Sequence, residues 1–172
     1  MKQAKNVFLV GPMGVGKTTI GKNLAHLLDK QFIDLDDEIE RRCGANIAWI
    51  FDVEGESGFR KRESEILAEI TTGSNIVLAT GGGAVLSDAN QNNLVHNGLV
   101  IYLCASVDKL YDRTQRDKRR PLLQVSDRKS VIKNLLVQRE PLYRKVADLV
   151  FNVSQANSQV SARKLADIIL SN

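Results

Sequence analysis

The chain has 172 residues, 43% of them apolar and 26% charged, with a formal net charge of +4. That length fits one domain able to bury a real core, and the composition excludes disordered and fibrous classes. The longest apolar run, 99–105, is far too short to cross a bilayer, and Cys43 and Cys104 lack the spacing of a zinc site or a disulfide framework.

A short apolar run at 7–10 reads as a buried strand. It empties into Gly11-Pro12-Met13-Gly14-Val15-Gly16-Lys17-Thr18, which fits the phosphate-loop pattern G-x-x-x-x-G-K-S/T. Behind it, Ile20, Leu24, Leu27 and Leu28 carry the spacing of a one-sided helix over 17–28. Strand, loop and helix in register are the context this motif requires. Glycine lets the backbone wrap closely around an anion, and the helix N-terminus adds partial positive charge. Lys17 is expected to reach the outer phosphates and the Thr18 hydroxyl to join the shell of a Mg2+ ion, so a nucleoside triphosphate site is implied. A secretory cleavage after so short an apolar stretch would remove this loop, which makes a reducing cytoplasm the expected compartment.

A second strand at 32–34 ends in Asp34, with Asp36 two positions on. If the chain stays extended, both carboxylates face the same side, one toward Mg2+ and one toward an acceptor hydroxyl. The alternative is that Asp36 or Asp37 caps a helix over 37–42. Helical spacing then continues at 47–53 and 57–70. Arg60 falls in the first turn of the latter, where a cation opposes the macrodipole. Either an anionic substrate group or a surface ion pair with Glu56 or Glu63 compensates it, and residue chemistry does not choose between them.

A third strand at 76–79 runs through Thr80 into Gly81-Gly82-Gly83. Three consecutive glycines mark either a tight strand-to-helix turn or backbone that must pass close to a ligand. A helix at 88–95, a strand at 99–103, and helices at 107–115, 129–145 and 158–170 around a strand at 149–153 complete the pattern. Strand–helix alternation of this kind predicts an α/β fold, a parallel sheet covered on both faces, with ligands at the carboxyl ends of its strands. Arg113, Arg116, Lys118, Arg119 and Arg120 crowd one stretch that ends at Pro121. They form a solvated or nucleic-acid-binding face, or a flap whose arginines stabilise a transferring phosphoryl group. No aromatic residue interleaves with them, which disfavours single-stranded nucleic acid. Arg139 is a further candidate anion ligand, its alternative being a solvated helix-face charge.

Taken in order, the phosphate loop, Asp34 and Asp36, the run from Gly55 to Glu63, Ala79 to Val85, Arg113 to Leu123, and Arg139 with Tyr143 resemble the shikimate kinase family over nearly the whole chain. The resemblance implies a single domain spanning 1–172, three layers α/β/α around a five-stranded parallel sheet of the nucleoside monophosphate kinase type. A substrate-binding segment at about 34–62 and a mobile lid at about 113–124 accompany it. It implies transfer of the γ-phosphoryl of ATP to the 3-hydroxyl of shikimate, on the route to aromatic amino acids. Asp36, Arg60, Gly82 and Arg139 would bind shikimate, the two arginines gripping its carboxylate and Asp36 serving as base. Gly14, Val15, Gly16, Lys17, Thr18 and Thr19 would bind the ATP phosphates, with Lys17 and Arg120 catalytic and Arg113 against adenine. Thr18, and Asp34 through water, would hold Mg2+. A polar adenine contact often found after the last strand in related chains falls nearest Ala156 here and is left unassigned. The partners implied are ATP and shikimate only, without nucleic acid or membrane, and the chain is expected to be a monomer.

Two other readings make different demands. Another small-molecule kinase of this architecture would act on gluconate or a nucleoside monophosphate, and Asp36 with two well-separated carboxylate-binding arginines favours a small hydroxy acid over a nucleotide. A nucleic-acid-dependent ATPase would use the basic stretch as its binding surface and show steep salt dependence.

Overall fold

Alternation along the strands decides the architecture. In β1 (Val7–Val10), Val7 and Leu9 point to one face and Phe8 and Val10 to the other, and all four are fully buried, as a strand covered on both sides must be. The same holds for β3 (Ile76–Ala79) and for most of β4 (Leu99–Cys104). The strands β2 (Gln31–Asp34) and β5 (Leu149–Asn152) are only partly buried and take the two edges. Every pairing is parallel, in the order β2-β3-β1-β4-β5. This computed structural model describes residues 5–115, 123, 125–153 and 157–171.

Among the described residues seven α-helices cover the sheet: α1 (Lys17–Leu27), α2 (Leu35–Cys43), α3 (Ile47–Thr71), α4 (Asp88–Asn97), α5 (Val107–Thr114), α6 (Arg128–Val146) and α7 (Ser158–Leu170). Phe8, Val10, Leu78, Val100 and Tyr102 pack under α2, α3, α4 and the end of α6. Val7, Leu9, Val77, Ile101 and Leu103 pack under α1, α5 and α7, with Ile132 from the start of α6. The result is the expected three-layer fold. Central β1 opens its loop at the middle of the carboxyl edge, between the loops that follow β3 and β4.

Two local expectations change, and a third falls largely outside the described residues. The chain does not stay extended past Asp34: this residue, at φ −99 and ψ 121, is the N-cap of α2, and its side chain accepts from the Asp37 N–H. Asp34 rather than Asp36 or Asp37 therefore caps the helix, which starts at Leu35, and Asp36 sits in its first turn. Next, the two expected helices over 47–53 and 57–70 abut end to end in α3, broken only at Gly55 with φ 72 and ψ 178, backbone essentially restricted to glycine. That placement puts Arg60 past the first turn of the second segment. Finally, of the expected lid at 113–124, residues 116–122 and 124, Arg120 among them, lie outside the described residues, while Leu123 is fully buried.

Candidate active site

Every α-helix except α1 has an N-cap side chain bonded to its own first turn: Asp34, Asn46, Ser87, Ser106, Asp127 and Asn157. Helix α1 starts instead at Gly16, in the left-handed region at φ 104 and ψ 22, with no side-chain cap. No side chain of the cap residue takes its first N–H groups, which is the physical basis of a phosphate-binding helix start. The Lys17 ammonium is buried within the loop and donates to the Gly11 and Pro12 carbonyls at 2.7 and 2.9 Å. Arg113, at the end of α5, donates to the Val15 carbonyl at 2.7 Å and the Gly14 carbonyl at 3.4 Å, so it braces the loop from outside. Gly14 is held at φ 79, where a Cβ would also lie 2.6 Å from the Thr114 methyl.

The Thr18 hydroxyl donates to Asp34 Oδ2 at 2.5 Å. One carboxylate thereby both caps α2 and reaches the first turn of α1. A hydroxyl and a carboxylate together are the hard oxygen donors that suit Mg2+, which needs only a few protein ligands when phosphates supply others. Among the described residues no group of three or more His, Cys, Asp or Glu converges into a metal cage. The residues present fit a nucleotide-borne Mg2+.

Beyond the loop, the glycine triplet after β3 is walled by four charged side chains. A Cβ at Gly81 would lie 2.9 Å from Glu63 Oε2 and 3.0 Å from Asp36 Oδ1. At Gly82 the neighbours would be the Met13 side chain and backbone, with Arg139 Nη1 at 3.6 Å. At Gly83 the Arg60 guanidinium fills the space, its Cζ at 2.5 Å and Nη1 at 2.6 Å. Two acids and two arginines thus approach a stretch of bare backbone, and Met13 joins that stretch to the phosphate loop. This close approach, rather than turn geometry, explains why glycines stand here.

Electrostatics differs from the surface pairing that the sequence left open for Arg60. Its Nη1 donates to Glu63 Oε1 at 2.8 Å, and the Glu63 side chain is only 1% exposed. Burial pushes the Glu63 carboxyl up, with Asp36 nearby acting in the same direction, while Arg60 and Arg139 pull it down. Glu63 Oε2 and Arg60 Nε are buried with no hydrogen-bond partner among the described residues. Arg139 is likewise buried, at 5% exposure, and is not a solvated helix-face charge. The Tyr143 hydroxyl, one turn beyond it on α6, donates to the Gly82 carbonyl at 2.5 Å.

The structure therefore brings Gly14, Val15, Gly16, Lys17, Thr18, Asp34, Asp36, Arg60, Gly82, Arg113 and Arg139 to one edge, with Thr19 exposed on α1 beside them. Arg120 and Ala156 lie outside the described residues. From the sequence, Glu63 is only a candidate surface partner of Arg60, and Tyr143 only part of a motif. Both had a signal: Phe59, Glu63, Ile66, Leu67 and Ile70 share one buried face of α3, as Ile132, Arg139, Tyr143 and Val146 do on α6. A polar residue on an apolar stripe is a buried polar residue, and such residues need a partner.

Comparison with known proteins agrees with this geometry. The family model described as "Shikimate kinase" matches residues 13–170. The shikimate kinase of Pasteurella multocida is 54% identical over 170 residues, covering 98% of this chain and 97% of its own. That of Mannheimia succiniciproducens is 52% identical with the same coverage. Among solved structures, the shikimate kinase from Acinetobacter baumannii in complex with shikimate superposes with a TM-score of 0.95 at 49% identity, covering 98% of this chain and 94% of that one. The enzyme from Bacteroides thetaiotaomicron gives 0.88 at 33% identity, covering 97% and 99%. By a match that runs from within the phosphate loop to the last helix, the chain belongs to the shikimate kinase family.

Proposed function

We propose that the chain is an ATP-dependent phosphotransferase that moves the γ-phosphoryl group of ATP to the 3-hydroxyl of shikimate, giving 3-phosphoshikimate and ADP. The observation that carries this reading is the close approach of Met13 to Gly82, where a Cβ would meet Met13 at 3.4 Å, which sets a phosphate-binding loop against a glycine stretch flanked by Arg60 and Arg139. Two guanidiniums suit one small carboxylic acid, since each can form a paired, charge-assisted contact. Asp36, beside Gly81, holds the 3-hydroxyl and accepts its proton as the hydroxyl oxygen forms its bond to the γ-phosphorus. The bond from that phosphorus to the bridging oxygen breaks, and ADP leaves with the electron pair. Lys17 and the N–H groups from Gly14 to Thr19 hold the phosphates, Arg113 lies against adenine, and Arg120 stabilises charge on the transferring group. Thr18, and Asp34 through water, would hold Mg2+, which when bound neutralises charge on the phosphates. Most of the catalysis in such a site is alignment and charge placement rather than covalent chemistry.

We read the chain as one domain acting as a cytoplasmic monomer without nucleic-acid partners. Among the described residues no helix is long and apolar enough to cross a membrane. A coupled assay of ADP release across shikimate, quinate, gluconate and nucleoside monophosphates tests the activity. Turnover is expected with shikimate. Strong turnover of gluconate with none of shikimate would overturn the assignment.

A further inference from the structure

Three buried polar side chains take the carbonyls in and just after the glycine triplet. Tyr143 donates to the Gly82 carbonyl at 2.5 Å, Asn90 Nδ2 to the Ala84 carbonyl at 2.9 Å, and Gln91 Nε2 to the Val85 carbonyl at 2.8 Å. The hydroxyl of Tyr143 does more than satisfy one acceptor. Its ring stacks on Tyr102 with centroids 5.1 Å apart, so the oxygen has little freedom to wander. The buried Arg139 lies one turn away on α6, and its positive charge acts on the same hydroxyl. Burial pushes the hydroxyl up to about 12 despite that cation, so it keeps its proton and remains the donor to Gly82. A trans peptide carries its C=O and N–H in opposite directions. Turning the Gly82 carbonyl toward Tyr143 therefore turns the Gly83 N–H away from α6.

We propose that Tyr143, with Gln91 holding the turn that follows, is a positioning residue for the acid-binding end of the site. Its hydroxyl fixes the Gly82–Gly83 peptide beside Arg139, in the arrangement that receives the substrate carboxylate. The inference rests on the functional reading above and deepens it. Neither Tyr143 nor Gln91 touches substrate. Each acts through the backbone that it holds.

The test uses the full chain and steady-state kinetics with each substrate varied in turn. Tyr143→Phe keeps the ring stack and removes one oxygen. It is expected to raise KM for shikimate about tenfold while KM for ATP and kcat stay within about twofold. Gln91→Met keeps the volume and removes the donor, and is expected to raise the same KM about threefold. A purely structural tyrosine would lower the melting temperature and leave the ratio of the two KM values unchanged, and that result overturns the proposal. If Tyr143→Phe does not fold, Gln91→Met decides, an unchanged shikimate KM counting against it. Wild-type protein that fails to phosphorylate shikimate would instead sink the functional reading, whatever the variants do.

Discussion

Gly83→Ala is a one-carbon change whose consequence can be worked from the structure. Gly83 has φ −101 and ψ 6, backbone that alanine adopts without strain, so the substitution acts through space alone. The new Cβ would lie 2.5 Å from Arg60 Cζ and 2.6 Å from Nη1, well inside contact distance. The guanidinium is the far end of a flexible side chain and must move by about an ångström, the difference between that distance and an ordinary carbon–nitrogen contact. Its 2.8 Å bond to Glu63 is then strained, and one of the two proposed grips on the substrate carboxylate is lost. A hydrogen bond to a charged group contributes about 1.5–3 kcal/mol, which corresponds to a rise in KM for shikimate of roughly ten- to a hundredfold. KM for ATP should be unchanged, and because Arg60 can shift toward Glu56 the fold should survive. The decisive assay is a double-mutant cycle with Arg60→Ala. If the added methyl acts only through Arg60, Gly83→Ala has little further effect in the Arg60→Ala background. A further tenfold rise in that background, or a single-variant KM within twofold of wild type, would refute the reasoning.

Two further outcomes follow from the same site and its surroundings. Asp36→Asn keeps the shape beside Gly81 but removes the proposed proton acceptor, so kcat should fall by about 10²- to 10⁴-fold with the fold intact, and wild-type-like kcat at saturating ATP and shikimate would contradict the assigned role. On α2, hydrogen bonds from Arg41 and then Arg42 hold the Glu38 carboxyl down at about 2 from its ordinary 4.5. A depressed folded value means that this pairing stabilises the protein fully above 4.5 and is lost as pH falls from there toward 2. The difference in urea stability between wild type and Glu38→Gln should therefore be flat near neutrality and shrink in acid, and a difference that grows on acidification would argue against the pairing.

Local chemistry is legible in the sequence alone. The phosphate loop could be read because every part of it, strand end, glycines, Lys17 and helix start, lies within one stretch of chain and acts through that stretch's own backbone. The α/β class followed from periodicity in the same way, as did the break near Gly55 between two amphipathic patterns. Arg60, Gly82 and Arg139 could be named from motif resemblance, but their residue chemistry alone left each of them open.

What the tertiary structure decided was every fact that depends on two distant segments meeting. Periodicity does not say which strands are neighbours, so the order that places the β1 and β3 loops together was not readable. Nor was the turn at Asp34, where the pull of an N-cap and the reach to Thr18 redirect the chain and swing Asp36 onto a helix. Glu63 looked like an ordinary helix acid, and only Gly81, distant in sequence and lacking a side chain, makes room for it beside Asp36. Tyr143 earns its role the same way, from a carbonyl on another loop. Backbone preferences and hydrophobic spacing are properties of short stretches and survive in the sequence. The surroundings of a buried charge belong to the packed molecule, because the dielectric and the partners that set them are assembled only when the layers close.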